Sequence, residues 1–100
     1  MIFITQLIYI KEGEERAFQQ FEDIAIPMIS KYNGRLILRI RPEENSFVEV
    51  NIDKPYEVHL VEFTTDLDFN NYLQDEKRKQ FLYLKEQSIR SVLMIKGEKL

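Results

Sequence analysis

The segment Ile2–Ile10, IFITQLIYI, constrains the fold more than any other part of the sequence. Apolar side chains occupy both of its alternating sets, which are Ile2, Ile4, Ile8 and Ile10 in one and Phe3, Leu7 and Tyr9 in the other. A strand with one face in water alternates between apolar and polar residues, whereas a strand buried on both faces does not. The helices of a 100-residue chain can cover one face of a sheet. We therefore predict a homodimer in which a second copy covers the other sheet face.

Length, charge and cysteine content limit the class of protein. One hundred residues suit a single domain spanning residues 1–100. The formal net charge of −3 gives no electrostatic reason to expect nucleic acid or a membrane as a partner. The absence of cysteine excludes disulfides and thiolate chemistry, and it fits a cytoplasmic location. The apolar start lacks the basic region and cleavage site of a signal peptide, and it is shorter than the roughly 20 residues that span a bilayer.

A helix is predicted after a turn at residues 12–15, because apolar residues recur at spacings of three and four from Ala17 to Tyr32. Pro27 lies inside this pattern and removes a backbone hydrogen bond, so we expect a kink or two separate pieces. The dipeptide Asn33-Gly34 is typical of a helix end, with one of the two residues left-handed.

Four further segments are predicted as strands. Residues 35–41, RLILRIR, are predicted to place Leu36, Leu38 and Ile40 on one face, and Pro42 ends this strand. Residues 47–52, FVEVNI, predict a short extra strand or the extension of a hairpin. Residues 56–63 and 91–96 are the remaining predicted strands.

A second helical region is predicted between these last two strands. Thr65 or Asp66 can cap it, a local break is expected at residues 74–76, and a second piece carries apolar residues up to Ile89. The run Lys77-Arg78-Lys79 predicts a solvated helix face. The element order is therefore βαββαβ, which predicts an α+β, ferredoxin-like fold with helices on one face of an antiparallel sheet, paired as a dimeric α/β barrel.

The segment SKYNGRLILR, residues 30–39, resembles the "KYGGR" signature at the helix end and second strand of many dimeric α/β-barrel proteins. Four further features fall at matching places, namely Pro27, Glu62-Phe63, Arg90 and Gly97. The chain thus resembles the domain-of-unknown-function family thirteen-thirty, although Asn33 stands where that family usually has a second glycine. The resemblance implies the ferredoxin-like fold and a dimer. It leaves the activity open, because relatives in the superfamily include cofactor-free monooxygenases, isomerases and haem enzymes.

Which face of the third strand lies under the helices decides where the polar residues meet. If Val58 and Leu60 pack under the helices, four polar side chains share the opposite face, namely Arg39, Arg41, Glu57 and His59. Val61 and Phe63 share the face of His59, however, and suit the helix-facing side equally well. The sequence leaves both arrangements open.

The candidate site residues carry either chemical or purely structural roles. His59, the only histidine, suits general acid–base catalysis, or it simply bonds a neighbour in the sheet. Arg39 and Arg41 suit forked hydrogen bonds to a carboxylate or phenolate, or they pair across strands with Glu57. Tyr9 is a further candidate ligand contact, and the resemblance implies Arg90 as an anion ligand, unless it caps a helix end. One histidine and no cysteine argue against a metal site built on those residues, and a site made of carboxylates alone is left open without any supporting spacing, so no metal and no cofactor are predicted.

These residues support two hypotheses of function. The first is a non-catalytic dimer that binds a small molecule in a pocket between sheet and helices. The alternative is a cofactor-independent monooxygenase or isomerase acting on a small aromatic or lactone-like substrate, with His59 moving the proton and Arg39 stabilising an enolate or phenolate oxygen. The enzyme hypothesis requires a cavity lined by His59.

Overall fold

The computed structural model describes residues 1–100 and contains one antiparallel sheet of four strands in the order β2-β3-β1-β4. The strands are β1 (Ile2–Ile10), β2 (Gly34–Ile40), β3 (Glu57–Phe63) and β4 (Ile89–Gly97). The helices are α1 (Glu15–Ala25), α2 (Asp66–Leu73), α3 (Glu76–Gln80) and α4 (Leu82–Ser88). The helices pack on one face of the sheet, so the predicted α+β ferredoxin-like fold is confirmed. None of these helices combines the length and the apolar character needed to cross a membrane.

Strand β1 lies at the centre of the sheet, between β3 and β4. Ile4 and Ile8 point towards the helices and are each only 1% exposed. On the other face, Phe3, Thr5 and Leu7 are half-buried, and no helix covers them. The set that includes Ile4 and Ile8 is therefore buried within the chain, whereas the set that includes Phe3 and Leu7 is not covered by its helices.

Pro27 divides the first helical region as the sequence predicts. Helix α1 ends at Ala25, and a separate 3₁₀ turn spans Ile29–Tyr32. Asn33 then adopts a left-handed conformation with φ of 56°. Gly34 opens β2 where the backbone passes close to a ring, since a Cβ built there would lie 2.6 Å from Cε1 of Phe63. A side chain at this position would therefore collide with the core.

Two side-chain caps organise the second helical region. The Thr65 hydroxyl accepts a hydrogen bond from the Asp68 amide at 3.1 Å, and the Asp68 carboxylate accepts one from the Thr65 amide at 3.2 Å. This capping box begins α2. Asp75 begins α3 by accepting hydrogen bonds from the amides of Lys77 and Arg78. The predicted break at residues 74–76 is confirmed, and Ile89 belongs to β4 rather than to a helix.

The strand predicted at residues 47–52 is wrong. The chain forms a 3₁₀ turn at Glu44–Ser46 and then runs without regular structure to β3. A strand requires a neighbour to complete its hydrogen-bond ladder, and this segment pairs with no strand of the sheet. Val48 is fully exposed, so the apolar side chains of this segment do not form a buried strand face. The end of the loop is held by a hydrogen bond of 2.8 Å from the Tyr9 hydroxyl to the carbonyl oxygen of Asp53.

A β-bulge at Ile37 rearranges the faces of β2. Leu36 pairs with Val61, whereas Leu38 pairs with Leu60, so one extra residue lies between the two pairs. The bulge moves Leu38 to the face opposite Leu36, and it places Arg39 beside His59 on the helix side. The prediction that Leu36, Leu38 and Ile40 share one face is therefore wrong.

The inner face of β3 carries His59, Val61 and Phe63, which are 3%, 6% and 1% exposed. The Phe63 ring lies 5.3 Å from that of Phe69, on α2, and thereby ties this face to the helices. Of the two arrangements left open by the sequence, the one with Val61 and Phe63 under the helices is thus correct. The outer face consists mainly of uncovered apolar side chains, among them Leu7, Leu38, Ile40, Val58, Leu60, Leu93 and Ile95.

Candidate functional site

A cavity of about 150 Å³ lies between the inner sheet face and the helices. Most of its wall is apolar, with side chains that include Ile4, Ile8, Phe21, Phe63, Phe69 and Tyr72. One acidic and three basic side chains also line it, namely Glu22, His59, Arg78 and Lys85. An apolar cavity with a few convergent polar groups is the usual form of a small-molecule site. The sequence identified His59 but missed the other three.

His59 and Glu57 form a buried pair on the inner face of β3. They are two residues apart, so the alternation of the strand directs both side chains to the same side. Nε2 of His59 lies 2.6 Å from Oε1 of Glu57, and the residues are 3% and 1% exposed. A carboxylate accepts a proton donor, so this contact holds the proton on Nε2 and leaves the lone pair on Nδ1. Nδ1 has no hydrogen-bond partner within the chain, which is the arrangement expected of a base.

Arg39 and Arg41 both bind the same carboxylate. Nε of Arg39 lies 2.5 Å from Oε1 of Glu57, and Nη2 of Arg41 lies 2.6 Å from Oε2. Burial alone would raise the pKa of Glu57, but the hydrogen bonds from His59, Arg39 and Arg41 outweigh it and lower the pKa to about 2. Glu57 is therefore ionised at neutral pH. The predicted cross-strand pairing of the two arginines with Glu57 is confirmed.

This pairing places the two arginines behind His59 rather than on the cavity wall. Arg39 also donates from Nη2 to Oε1 of Gln19 at 3.1 Å, and neither Arg39 nor Arg41 lines the cavity. The catalytic role of Arg39 and the ligand-binding role of Arg41 stay predictions. What the structure shows is that both side chains neutralise the carboxylate that orients the imidazole of His59.

Glu22 presents a carboxyl group to the cavity from the inner side of α1. It is 7% exposed, and its side chain makes no hydrogen bond within the chain. Burial raises its pKa, while the charges of His59 in its protonated form, of Arg39 and of Arg78 act in the opposite direction. The sequence does contain a signal for it, because Glu22 lies four residues after Phe18 and three before Ala25, within the apolar stripe of α1.

Arg78 is buried, and the prediction of a solvated face for the whole basic run is wrong at this residue. Lys77 and Lys79 are exposed, but Arg78 is only 9% exposed. The cap at Asp75 starts a new helix whose orientation turns Arg78 towards the cavity. Its guanidinium carbon lies 5.1 Å from the ring centre of Tyr72 and 5.6 Å from that of Phe21. Arg78 is thus held between two aromatic rings.

Burial shifts the pKa of two further cavity groups in the direction that favours the neutral form. Burial lowers the pKa of Lys85, and the nearby charge of Arg78 lowers it further. Burial raises the pKa of Tyr72 to about 12, and its hydroxyl donates to the carbonyl oxygen of Ala25 at 2.9 Å. Tyr72 therefore serves as wall rather than as an acid. No three acidic or histidine side chains come together in a group that could hold a metal ion.

Tyr9 and Arg90 lie away from the cavity. Tyr9 follows the buried Ile8 and points to the opposite face of β1, where it anchors the 42–55 loop through Asp53. The guanidinium carbon of Arg90 lies 5.3 Å from the ring centre of Tyr9, and Nη1 lies 3.9 Å from Oδ2 of Asp53. The structure does not bring these two residues together with His59, and their ligand-binding roles stay predictions.

Comparison with known proteins identifies the fold. The sequence matches no protein-family model, and no curated protein is similar to it in sequence. Among solved structures, the protein RPA0582 of unknown function from Rhodopseudomonas palustris superimposes with a TM-score of 0.83 at 11% identity, covering 99% of this chain and 82% of that one. An uncharacterised NIPSNAP domain protein from Burkholderia xenovorans gives 0.73 at 10% identity, covering 100% and 95%.

A third solved structure carries a description of activity. It is a Nitrosomonas europaea protein described as a candidate antibiotic biosynthesis monooxygenase, with a TM-score of 0.75 at 10% identity and coverage of 100% of this chain and 99% of that one. At such low identities these likenesses show the fold alone. The resemblance to one particular family of unknown function stays a prediction.

Proposed function

We propose that this protein binds a small, largely apolar molecule, about the size of one aromatic ring, in the cavity between sheet and helices. The observation that carries the proposal is the cavity of about 150 Å³, whose apolar wall is interrupted only by a few polar groups that include His59 and Glu22. In another protein, an apolar cavity of about this volume holds benzene. The size of the ligand follows from this comparison.

Occupancy of the cavity is tested by titrating the protein with phenol and following the ligand resonances by NMR. Ala25 lines the cavity, whereas Ala17 is buried in the contact between α1 and α4 without lining it. Ala25→Leu should abolish phenol binding because the added side chain fills the space, and Ala17→Leu is the matched control for overpacking. Unchanged binding to Ala25→Leu would place phenol elsewhere and contradict the proposal.

A second candidate function is proton transfer, as in a cofactor-independent isomerase or monooxygenase. The contact of 2.6 Å between His59 and Glu57 favours it, since Glu57 would stabilise the imidazolium that forms when Nδ1 accepts a proton. The proton would come from a carbon beside a carbonyl group, and its electron pair would pass to the carbonyl oxygen as an enolate. The fold shared with the candidate monooxygenase from Nitrosomonas europaea is compatible with this chemistry.

Proton transfer is tested with phenylacetone in heavy water, by following deuterium uptake beside the carbonyl group. His59→Gln should lower the protein-dependent uptake by about 100-fold or more, which is the usual contribution of a positioned base. Glu57→Gln should lower it less, because it only loses the orientation and stabilisation of the ring. Equal uptake by wild type and His59→Gln would exclude His59 as the base.

We also propose that a second copy of the chain covers the outer sheet face. That face is apolar across all four strands, with Leu38, Leu93 and Ile95 between 45% and 53% exposed. Its charged residues Arg35 and Glu62 pair with each other at 2.7 Å, so no net charge opposes the approach of an identical surface. A soluble monomer rarely leaves such a large apolar area in water, and two copies can bury it against each other.

A further inference from the structure

We propose that the ligand of the cavity is a small apolar carboxylate and that the guanidinium of Arg78 holds its charged end. This inference rests on the proposed function, because it assumes that a molecule enters the cavity. It assigns to Arg78 a role that the sequence did not indicate, and it narrows the ligand from any small apolar molecule to an anion.

The first argument is the missing partner of Arg78. Its Nε is buried without any hydrogen-bond partner, and it is the only such side-chain atom in the protein. None of the chain's eight ion pairs includes Arg78. A buried N–H of a charged group is costly to leave without an acceptor, so buried charges in proteins are normally paired and hydrogen-bonded. The carboxylate of a ligand would supply the acceptor that Nε lacks.

The second argument is the way in which Arg78 is held. Phe21 and Tyr72 flank its guanidinium at 5.6 and 5.1 Å, and both rings line the cavity as Arg78 does. Aromatic faces attract the cation but accept none of its in-plane hydrogen bonds. The buried Nε–H therefore remains unused, and the fork that it forms with a terminal N–H matches the two oxygens of a carboxylate.

The third argument is the charge of the remaining wall. Glu22 is the only acidic side chain that lines the cavity, and it makes no ion pair with Arg78. Lys85 is a further basic group of the wall, and the ionised Glu57 behind His59 is already bound by two arginines. Glu22 acts on Arg78 through its charge but makes no contact with it, so the cavity offers a cation that no carboxylate of the chain touches. A neutral ligand would leave Nε of Arg78 buried without a partner, whereas a carboxylate would accept its hydrogen bond.

The experiment compares benzoate with benzyl alcohol, which has the same ring and a neutral end. Both are titrated at pH 7 and constant ionic strength against wild type, Arg78→Met and Lys79→Met. Lys79 is the matched control because it is the next residue of α3, carries the same charge and is exposed. Wild type should bind benzoate at least about tenfold more tightly than benzyl alcohol, because a charged hydrogen-bond pair is worth that factor.

Arg78→Met should weaken benzoate binding by at least about tenfold and leave benzyl alcohol within about threefold, and Lys79→Met should change neither. Equal binding of the two probes, or benzoate binding unaffected by Arg78→Met, would overturn the role of Arg78 and leave the cavity proposal standing. Failure of both probes to bind to wild type would overturn the cavity proposal itself.

An NMR measurement on the wild-type protein tests the role of Arg78 even if Arg78→Met does not fold. The Nε–H resonance of Arg78 should shift when benzoate is added and stay in place with benzyl alcohol. An unchanged Nε–H chemical shift while benzoate binds to the protein would also overturn the proposal. Arg78→Lys retains the charge but loses the fork, so it should bind benzoate with an affinity between those of wild type and Arg78→Met.

Discussion

Nε2 of His59 lies 2.6 Å from Oε1 of Glu57, and both side chains are almost completely buried under the helices. This contact contributes both to the stability of the protein and to the proposed proton transfer. Glu57 holds the imidazole in one tautomer, and Arg39 and Arg41 keep Glu57 ionised. Changes at Glu57 should therefore affect both folding and proton transfer.

Glu57→Gln should lower the free energy of unfolding at pH 7 by on the order of 3 kcal/mol. The pKa of Glu57 is about 2 in the folded protein, against 4.5 in the unfolded chain. Its stabilisation is thus fully present above about pH 4.5 and is lost as the pH falls towards 2. Urea unfolding at pH 7, 4 and 2.5 measures the change.

Glu62→Gln is the control for this experiment, because Glu62 pairs with a largely exposed arginine, Arg35. That pair should contribute less than about 1 kcal/mol. A loss of similar size in both variants, or a Glu57→Gln effect that is the same at pH 2.5 and at pH 7, would contradict the assignment of the low pKa to Glu57.

Glu22→Gln should stabilise the protein at pH 8. Burial raises the pKa of Glu22 above its unfolded value of 4.5, so the unfolded chain loses its proton first as the pH rises. The ionisation of Glu22 therefore lowers the stability of the folded protein as the pH rises. The side chain of Gln cannot ionise, so the variant does not lose this stability. Thermal unfolding should show a higher midpoint for Glu22→Gln at pH 8 and no difference below about pH 4. The exposed Glu12→Gln is the control, and a destabilised Glu22→Gln at pH 8 would refute the prediction.

Gly34→Ala should lower the free energy of unfolding by about 1–3 kcal/mol. The new Cβ would lie 2.6 Å from the ring of Phe63 and 2.7 Å from Cγ2 of Ile29, both of which are packed in the core. Gly97→Ala is the matched control, since no atom lies within 4 Å of its Cβ position, and it should change stability by less than about 0.5 kcal/mol. Urea unfolding compares the two, and equal effects would show that the close approach at Gly34 is relieved without cost.

Leu93→Lys should weaken the proposed homodimer by at least about tenfold, because a charge would enter an apolar contact. Leu93 lies on the outer face of β4, and it is 48% exposed in the single chain. Sedimentation equilibrium at low micromolar concentration measures the mass. Leu67→Lys is the control, since Leu67 is 66% exposed on the helix side of the protein. A wild-type protein that is monomeric under these conditions would contradict the dimer.

Much of the fold could be predicted because its signals act over a few residues. Pro27 cannot donate a backbone hydrogen bond, and the first helical region divides around it. Asn33 takes the left-handed conformation, and Thr65 caps α2 with its own hydroxyl. Each outcome depends on the chemistry of one residue and its immediate neighbours.

The candidate site depended on longer-range contacts, so only part of it could be predicted. His59 stands out as the single histidine, and Glu22 lies within the apolar stripe of α1, but Arg78 is a basic residue between two exposed basic residues, Lys77 and Lys79. The burial of Glu22 and Arg78 results from how α1 and α3 pack over the sheet. The strand predicted at residues 47–52 failed for a related reason, because alternation alone supplies no neighbouring strand.

The sequence by itself determined the order of the elements, the helix caps and breaks, and the apolar character of β1 on both faces. Only the tertiary structure decided which face of β3 lies under the helices. One bulged residue, Ile37, shifts the alternation of β2, and so brings Arg39 to the side of His59 and Glu57. Side chains alternate with a period of two, so a single inserted residue reverses every face that follows it. That choice depends on pairing between distant strands, and no local pattern encodes it.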